Sequence, residues 1–201
     1  MGLRRHKHKQ IHNKTEREYT YGEFLLLISL CSEQEKERLN AELEGAQRPS
    51  FINGKQVPSD LNHISYGTLD DISSAREDTD PFVHIMEILL RLTPQQVYNL
   101  NVWDVVGFGK FVTEQIGKIN DLFASLKVDY SAEEKAAGVE SLNFGSFGVL
   151  DWYARRMGIT NQNDVRDVAW IRIYNCMRND VMQNNYERRL HKQATQKIKK
   201  R

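Results

Sequence analysis

The sequence predicts a mainly α protein: a bundle of about seven or eight helices, one small β-hairpin near residues 51–57, and a basic extension at each end. Three observations carry this reading. Apolar residues recur at helical spacing through most of residues 20–190, and they are densest in 143–190. The pair Asn53-Gly54 sits between short apolar runs, and both residues tolerate the positive φ of a type I′ turn. The formal net charge is only +1, but it is unevenly spread. Residues 1–17 hold six Lys/Arg and one acid, and residues 188–201 hold seven Lys/Arg and no acid. The remaining 15 basic and 26 acidic residues give the middle of the chain a balance of −11.

The chain therefore divides into a basic arm (1–19), a helical domain (20–190) and a basic tail (191–201). A first helix starts at the capping box Thr20-Tyr-Gly-Glu23 and runs to Gly45, apolar in its first half and charged in its second. Phe51-Ile52 and Gln56-Val57 flank the Asn53-Gly54 turn as two short strands. Such a hairpin is not stable alone and must pack on helices. Ser65-Tyr-Gly-Thr-Leu-Asp-Asp opens the next helix. Asp80-Pro81 and Thr93-Pro94 each pair a capping side chain with proline at the first helical position. Asn101 can cap the long helix that follows, in which Gly107 and Gly109 mark a kink or a close contact. Ser131-Ala-Glu-Glu134 is a further capping box, for a short helix ending near Gly138.

Residues 143–190 read as a helical hairpin. Asn143 caps a helix with Phe144, Phe147, Leu150, Tyr153 and Met157 on one side, and Gly158 stands at its left-handed C-cap. The second helix starts near Asn163. Its buried stripe runs Val165, Val168, Ile171, Tyr174, Met177 or Cys176, Val181, Tyr186 and Leu190. It can continue into QATQKIKKR. Three helix starts share one pattern: a capping residue, an aromatic, a glycine and, two places on, a large apolar residue. They are Thr20-Tyr21-Gly22-Glu23-Phe24, Ser65-Tyr66-Gly67-Thr68-Leu69 and Asn143-Phe144-Gly145-Ser146-Phe147. The pattern is either a repeated binding element or a way to begin a helix close to a partner, with glycine permitting the approach.

No catalytic, metal or cofactor constellation is legible. There is no phosphate-binding glycine loop, His6 and His8 lie on the basic arm, and His84 lies in an apolar helix without a nucleophile that the sequence can assign. Asp70-Asp71 and Glu133-Glu134 fall in helix first turns, where they complement the helix dipole. Cys31 and Cys176 lie in apolar helical patterns, as reduced core thiols would. No apolar stretch is long enough to span a membrane.

The stretch FINGKQVPSDLNHISYGTLDDI, with its INGK-x-VP hairpin leading into a polar–aromatic–glycine helix start, resembles proteins of tailed bacteriophages, especially those of gut Bacteroidetes. The helices PFVHIMEILLRLTPQQVYNLNVWDVVGFGKFV that follow look like the corresponding part of tail-assembly chaperones. The resemblance covers about residues 51–125 and, to a lesser degree, the helical hairpin at 143–190. It implies a helical protein that binds other virion proteins during assembly, in the virion or in the host cytoplasm. The basic ends depart from a plain chaperone and suit a tail, portal-vertex or cargo protein carried near packaged DNA.

The expected function is non-enzymatic binding of other phage structural proteins through helix faces, with no cofactor and no metal. Self-association as a homo-oligomer or ring would be one form of it. The residues expected to make the contact are Tyr21, Phe24, Tyr66, Phe144, Phe147 and Trp152. The alternative is binding of nucleic acid, or of an acidic partner, through Arg4, Arg5, Lys7, Lys9, Lys197, Lys199, Lys200 and Arg201.

Overall fold

A computed structural model describes residues 19–74 and 78–199, with only the backbone of the last two. It is mainly helical with one two-stranded antiparallel hairpin, as the sequence predicts. Nine α-helices occur among the described residues. They are α1 (Tyr21–Leu30), α2 (Glu33–Leu43), α3 (Tyr66–Ser73), α4 (Pro81–Leu90), α5 (Pro94–Tyr98), α6 (Val102–Ala124), α7 (Ala132–Ala136), α8 (Gly145–Met157) and α9 (Trp170–Lys199). Strands β1 (Phe51–Ile52) and β2 (Lys55–Gln56) pair around Asn53 and Gly54, whose φ values of 49° and 74° suit a type I′ turn. The second strand starts one residue earlier than the sequence suggests.

Two helix boundaries differ as well. The first helix is two helices. Cys31 is extended, and Ser32 begins α2 with its own capping box, accepting from Glu35 N at 3.4 Å while Glu35 Oε2 accepts from Ser32 N at 2.9 Å. The last helix does not start near Asn163. Residues Gln162–Asp167 form a 3-10 turn, Val168 is extended, and α9 begins at Trp170. Of the stripe expected from Val165 to Leu190, Val165 and Tyr174 are buried, Trp170 and Ile173 complete the buried face, and Tyr186 and Leu190 are exposed. Cys31 and Cys176 are half-buried free thiols, not core residues: Cys31 lies in the extended link between α1 and α2, and Cys176 is half-buried on α9.

The chain forms two compact units. One comprises residues up to Leu61 with Asp71–Gln115; the other comprises Asn62–Asp70 with Ile116 onward. Helices α3 and α6 each give residues to both. In the first unit, Ile52, Leu61, Met86, Val97, Val102 and Phe108 are almost wholly removed from water. Gly107 and Gly109 of α6 permit close contact there. A Cβ on Gly107 would lie 2.1 Å from Gln47 O, and one on Gly109 would lie 2.2 Å from the Phe82 ring. In the second unit, Tyr153, Val165, Trp170 and Ile173 form the buried centre, with the Phe123 ring 6.2 Å from Trp170 and 5.5 Å from Tyr174.

The same arrangement occurs in each unit, taken by itself. In the first, the starts of α1 and α6 are joined by an antiparallel bridge, Thr20 to Asn101. Tyr21 N donates to Leu100 O at 2.8 Å, and Val102 N donates to Tyr19 O at 3.0 Å. In the second, the starts of α3 and α9 are joined by the bridge Ser65 to Ala169. Tyr66 N donates to Val168 O at 2.8 Å, and Trp170 N donates to Ile64 O at 3.3 Å. The glycine of each start faces the residue three before the bridging partner: a Cβ on Gly22 would lie 3.2 Å from Tyr98 O, and one on Gly67 would lie 3.0 Å from Arg166 O. Upstream of each bridge, a helix ends in a left-handed cap, Arg91 at φ 51° or Gly158 at φ 67°. A Leu-Thr or Ile-Thr pair, a short helical turn and a fully buried valine (Val97 or Val165) then follow. Two of the three helix starts singled out in the sequence are thus one structural device used twice.

Candidate protein-contact surface

The six aromatic candidates separate into two groups. Tyr21, Phe24 and Tyr66 are buried and so are removed from any contact surface. The Tyr21 ring packs against Tyr98 and Phe82, each with centroids 6.3 Å away, and its hydroxyl donates to Asp80 Oδ2 at 2.7 Å. Burial, followed by that hydrogen bond to a carboxylate, raises its pKa far above the usual phenol value. Burial likewise pushes Tyr66 up to about 12, with Asp70 adding to the effect and Arg166 opposing it. The capping residues Thr20 and Ser65 set these helix starts in place. The Tyr21 ring then packs against the first turn of α4 and the end of α5.

Phe144, Phe147 and the half-buried Trp152 form the second group. Phe144 and Phe147 are 71% and 60% exposed, and with Trp152, Gly148, Asp151, Arg155 and Arg156 they line an open groove along α8. This third helix start does not repeat the other two. Its N-cap, Phe144, is not extended (φ −103°, ψ 5°), and Gly145 sits at φ +57°. Asn143 still serves the start, accepting from Gly145 N at 2.9 Å. No strand pairs with it among the described residues, so its aromatic side chains face outward. A Cβ on Gly148 would come within 2.5 Å of the Phe144 Cβ, so glycine is what lets Phe144 lie along the helix.

The helical spacing of Trp152 and Arg156 stacks the guanidinium over the indole, 6.0 Å from the ring centroid. Arg156 is fixed by a bidentate pair with Asp180, Nε to Oδ2 at 3.0 Å and Nη2 to Oδ1 at 3.0 Å. Arg155 pairs with Asp151 at 2.8 Å. The groove is therefore aromatic, with both of its cations balanced by a neighbouring carboxylate. Its arginines were not singled out from the sequence. The i, i+4 relation of Trp152 to Arg156 was the available signal.

Of the basic candidates, Lys197 is described and is exposed on α9. The helix backbone extends through Lys199. Arg4, Arg5, Lys7, Lys9, Lys200 and Arg201 lie outside the described residues. His84 Nε2 lies 2.9 Å from Asp71 O, a hydrogen bond that accounts for it structurally. Among the described residues, no group of three or more His, Cys, Asp or Glu side chains is placed to hold a metal ion, and no helix is long and apolar enough to cross a membrane. No protein-family model, no curated protein and no solved structure matches the chain.

Proposed function

We propose that this protein is a non-enzymatic virion or assembly protein of a tailed phage that binds other phage structural proteins through the first turns of α8. The observation that supports contact there is the exposure of Phe144 and Phe147 beside Trp152 and Arg156. Large aromatics grouped on a surface, with an arginine among them, have the composition of binding hot spots. The phage assignment rests on the resemblance carried by residues 51–125.

The test is co-expression with the tail, portal and head proteins of the same phage, followed by affinity capture. The native chain is expected to retain one of them, and the Phe144→Ser/Phe147→Ser variant is expected to lose it while keeping its helical spectrum. Equal capture by both chains would remove α8 from the contact.

A second reading, nucleic-acid binding through the ends, draws on one feature. Residues 178–197 of α9 carry five Lys/Arg against two acids, and Lys192 and Lys197 there are exposed. Trimming both ends and measuring DNA binding against salt separates this reading from the first.

A further inference from the structure

From Arg178 to Lys197, α9 buries no residue, although it carries Met182, Tyr186 and Leu190 four residues apart. Each of the three is more than half exposed. At about 1.5 Å of rise per residue they form one apolar line roughly 12 Å long. Another side of the same helix is taken by its own chain. Asn185 Nδ2 donates to Lys127 O at 2.9 Å, and Arg188 forms a bidentate pair with Glu134. The apolar line has one basic edge. On the helical wheel Arg178 and Lys192 fall along it, Arg189 between them pairs with Asp129 at 3.5 Å, and Lys197 continues the line.

The first unit presents the complement. On α1, Leu26 and Leu30 lie one turn apart and exposed. Directly after them the chain turns into α2, whose first residues include the exposed Glu33, Glu35 and Glu37 against two bases, Arg38 and Lys36, the latter paired with Glu33. The α1–α2 corner is thus an apolar pair with an acidic rim, and the α9 stripe is an apolar line with a basic rim. The α8 groove does not compete for the corner on charge, because Asp151 and Asp180 already balance its arginines. Two α9 stripes laid antiparallel would set each basic edge against itself, which is repulsive.

We propose that the α9 stripe receives the α1–α2 corner of a second copy of this chain, so that copies join head to tail. Because the two faces differ, each copy keeps one of them open after the first contact, and the contact propagates to a ring or a row.

The test uses the full chain and two surface variants, Leu30→Glu and Tyr186→Glu, in sedimentation velocity across a wide concentration range. The native chain is expected to form species larger than a dimer. Each variant alone is expected to weaken self-association by at least about tenfold, the share that one buried anchor side chain commonly carries. Mixed, the two variants are expected to form a one-to-one complex and stop, since the stripe intact in Leu30→Glu fits the corner intact in Tyr186→Glu. Leu26→Glu and Leu190→Glu repeat the design at the neighbouring positions. A native chain that stays monomeric overturns the proposal, and so does undiminished association of Leu30→Glu. The same holds if the mixture remains two monomers, or if Tyr186→Glu loses affinity for a DNA duplex or anionic vesicles with no change in association state.

Discussion

Replacing Gly107 with alanine sets two effects of known size against each other inside one helix. Alanine is favoured over glycine by about 1 kcal/mol in a helix interior. At Gly107, however, the new methyl would sit 2.1 Å from the carbonyl oxygen of Gln47 and 2.7 Å from its carbon. Both are backbone atoms, so no side chain can swing aside, and either the 47 region or α6 must move by about an ångström. Overpacking of this kind costs typically 1–3 kcal/mol, and an overlap with backbone belongs at the upper end. The net expectation is a loss of about 2 kcal/mol. Gly117 in the same helix supplies the control, since a Cβ there meets nothing within 4 Å. Gly117→Ala should gain about 0.5–1 kcal/mol. Urea unfolding of the two variants, followed by circular dichroism, reads both signs. A Gly107→Ala protein as stable as the native chain would refute the close approach of Gln47 to α6.

Gly54→Val places a β-branched residue at φ 74° and should destabilise by roughly 1–3 kcal/mol, seen as a lowered denaturation midpoint; an unchanged midpoint would mean that the turn adopts another geometry. The Arg188 pair holds Glu134 down at about 2 from an ordinary 4.5. Its folded pKa is depressed, so its stabilising contribution is present above about 4.5 and is lost as pH falls through about 2. Glu134→Gln should flatten that part of the stability–pH profile, and a profile identical to that of the native chain would show that the pair is not coupled to folding. If the basic ends meet DNA, log K should fall with log salt by about 0.9 per phosphate contact, or roughly a thousandfold for about six contacts between about 50 and 200 mM salt. A chain trimmed to residues 18–187 should lose that affinity and remain folded; retained affinity would assign the binding to the body.

Local signals were readable. The capping boxes at Thr20 and Ser131, the Asp80-Pro81 start, the Asn53-Gly54 turn and the Gly158 cap each depend on side chains a few residues apart, and all are present. Ser32-x-x-Glu35 is the same kind of signal. It was obscured by periodicity, because the spacing of apolar residues runs on across an extended Cys31. Val165 and Val168 fit a helical stripe by number, yet an intervening 3-10 turn changes the phase before α9 begins. The candidate site was half legible for a different reason. Tyr21, Tyr66 and Phe144 occupy equivalent places in the local pattern, but whether such an aromatic is buried depends on a segment about a hundred residues away. Asn101 and Ala169 supply bridges to the first two, and the third has no such bridge among the described residues. That difference lies in long-range pairing, which a single chain's spacing does not encode.

The interleaving of the two paired starts also sets a timetable for biosynthesis. A chain leaving the ribosome completes the Thr20–Asn101 bridge once residue 102 has emerged, with the later part of α6 still to come. The Ser65 start emerges earlier than Asn101 but waits for Ala169. Closing so long a loop costs little more than closing a short one, because the entropy grows only with the logarithm of length. The penalty is one of waiting: the start at Ser65 lacks its bridging partner until Ala169 emerges. A nascent chain arrested near residue 160 should therefore hold the Thr20–Asn101 bridge and lack the Ser65–Ala169 one.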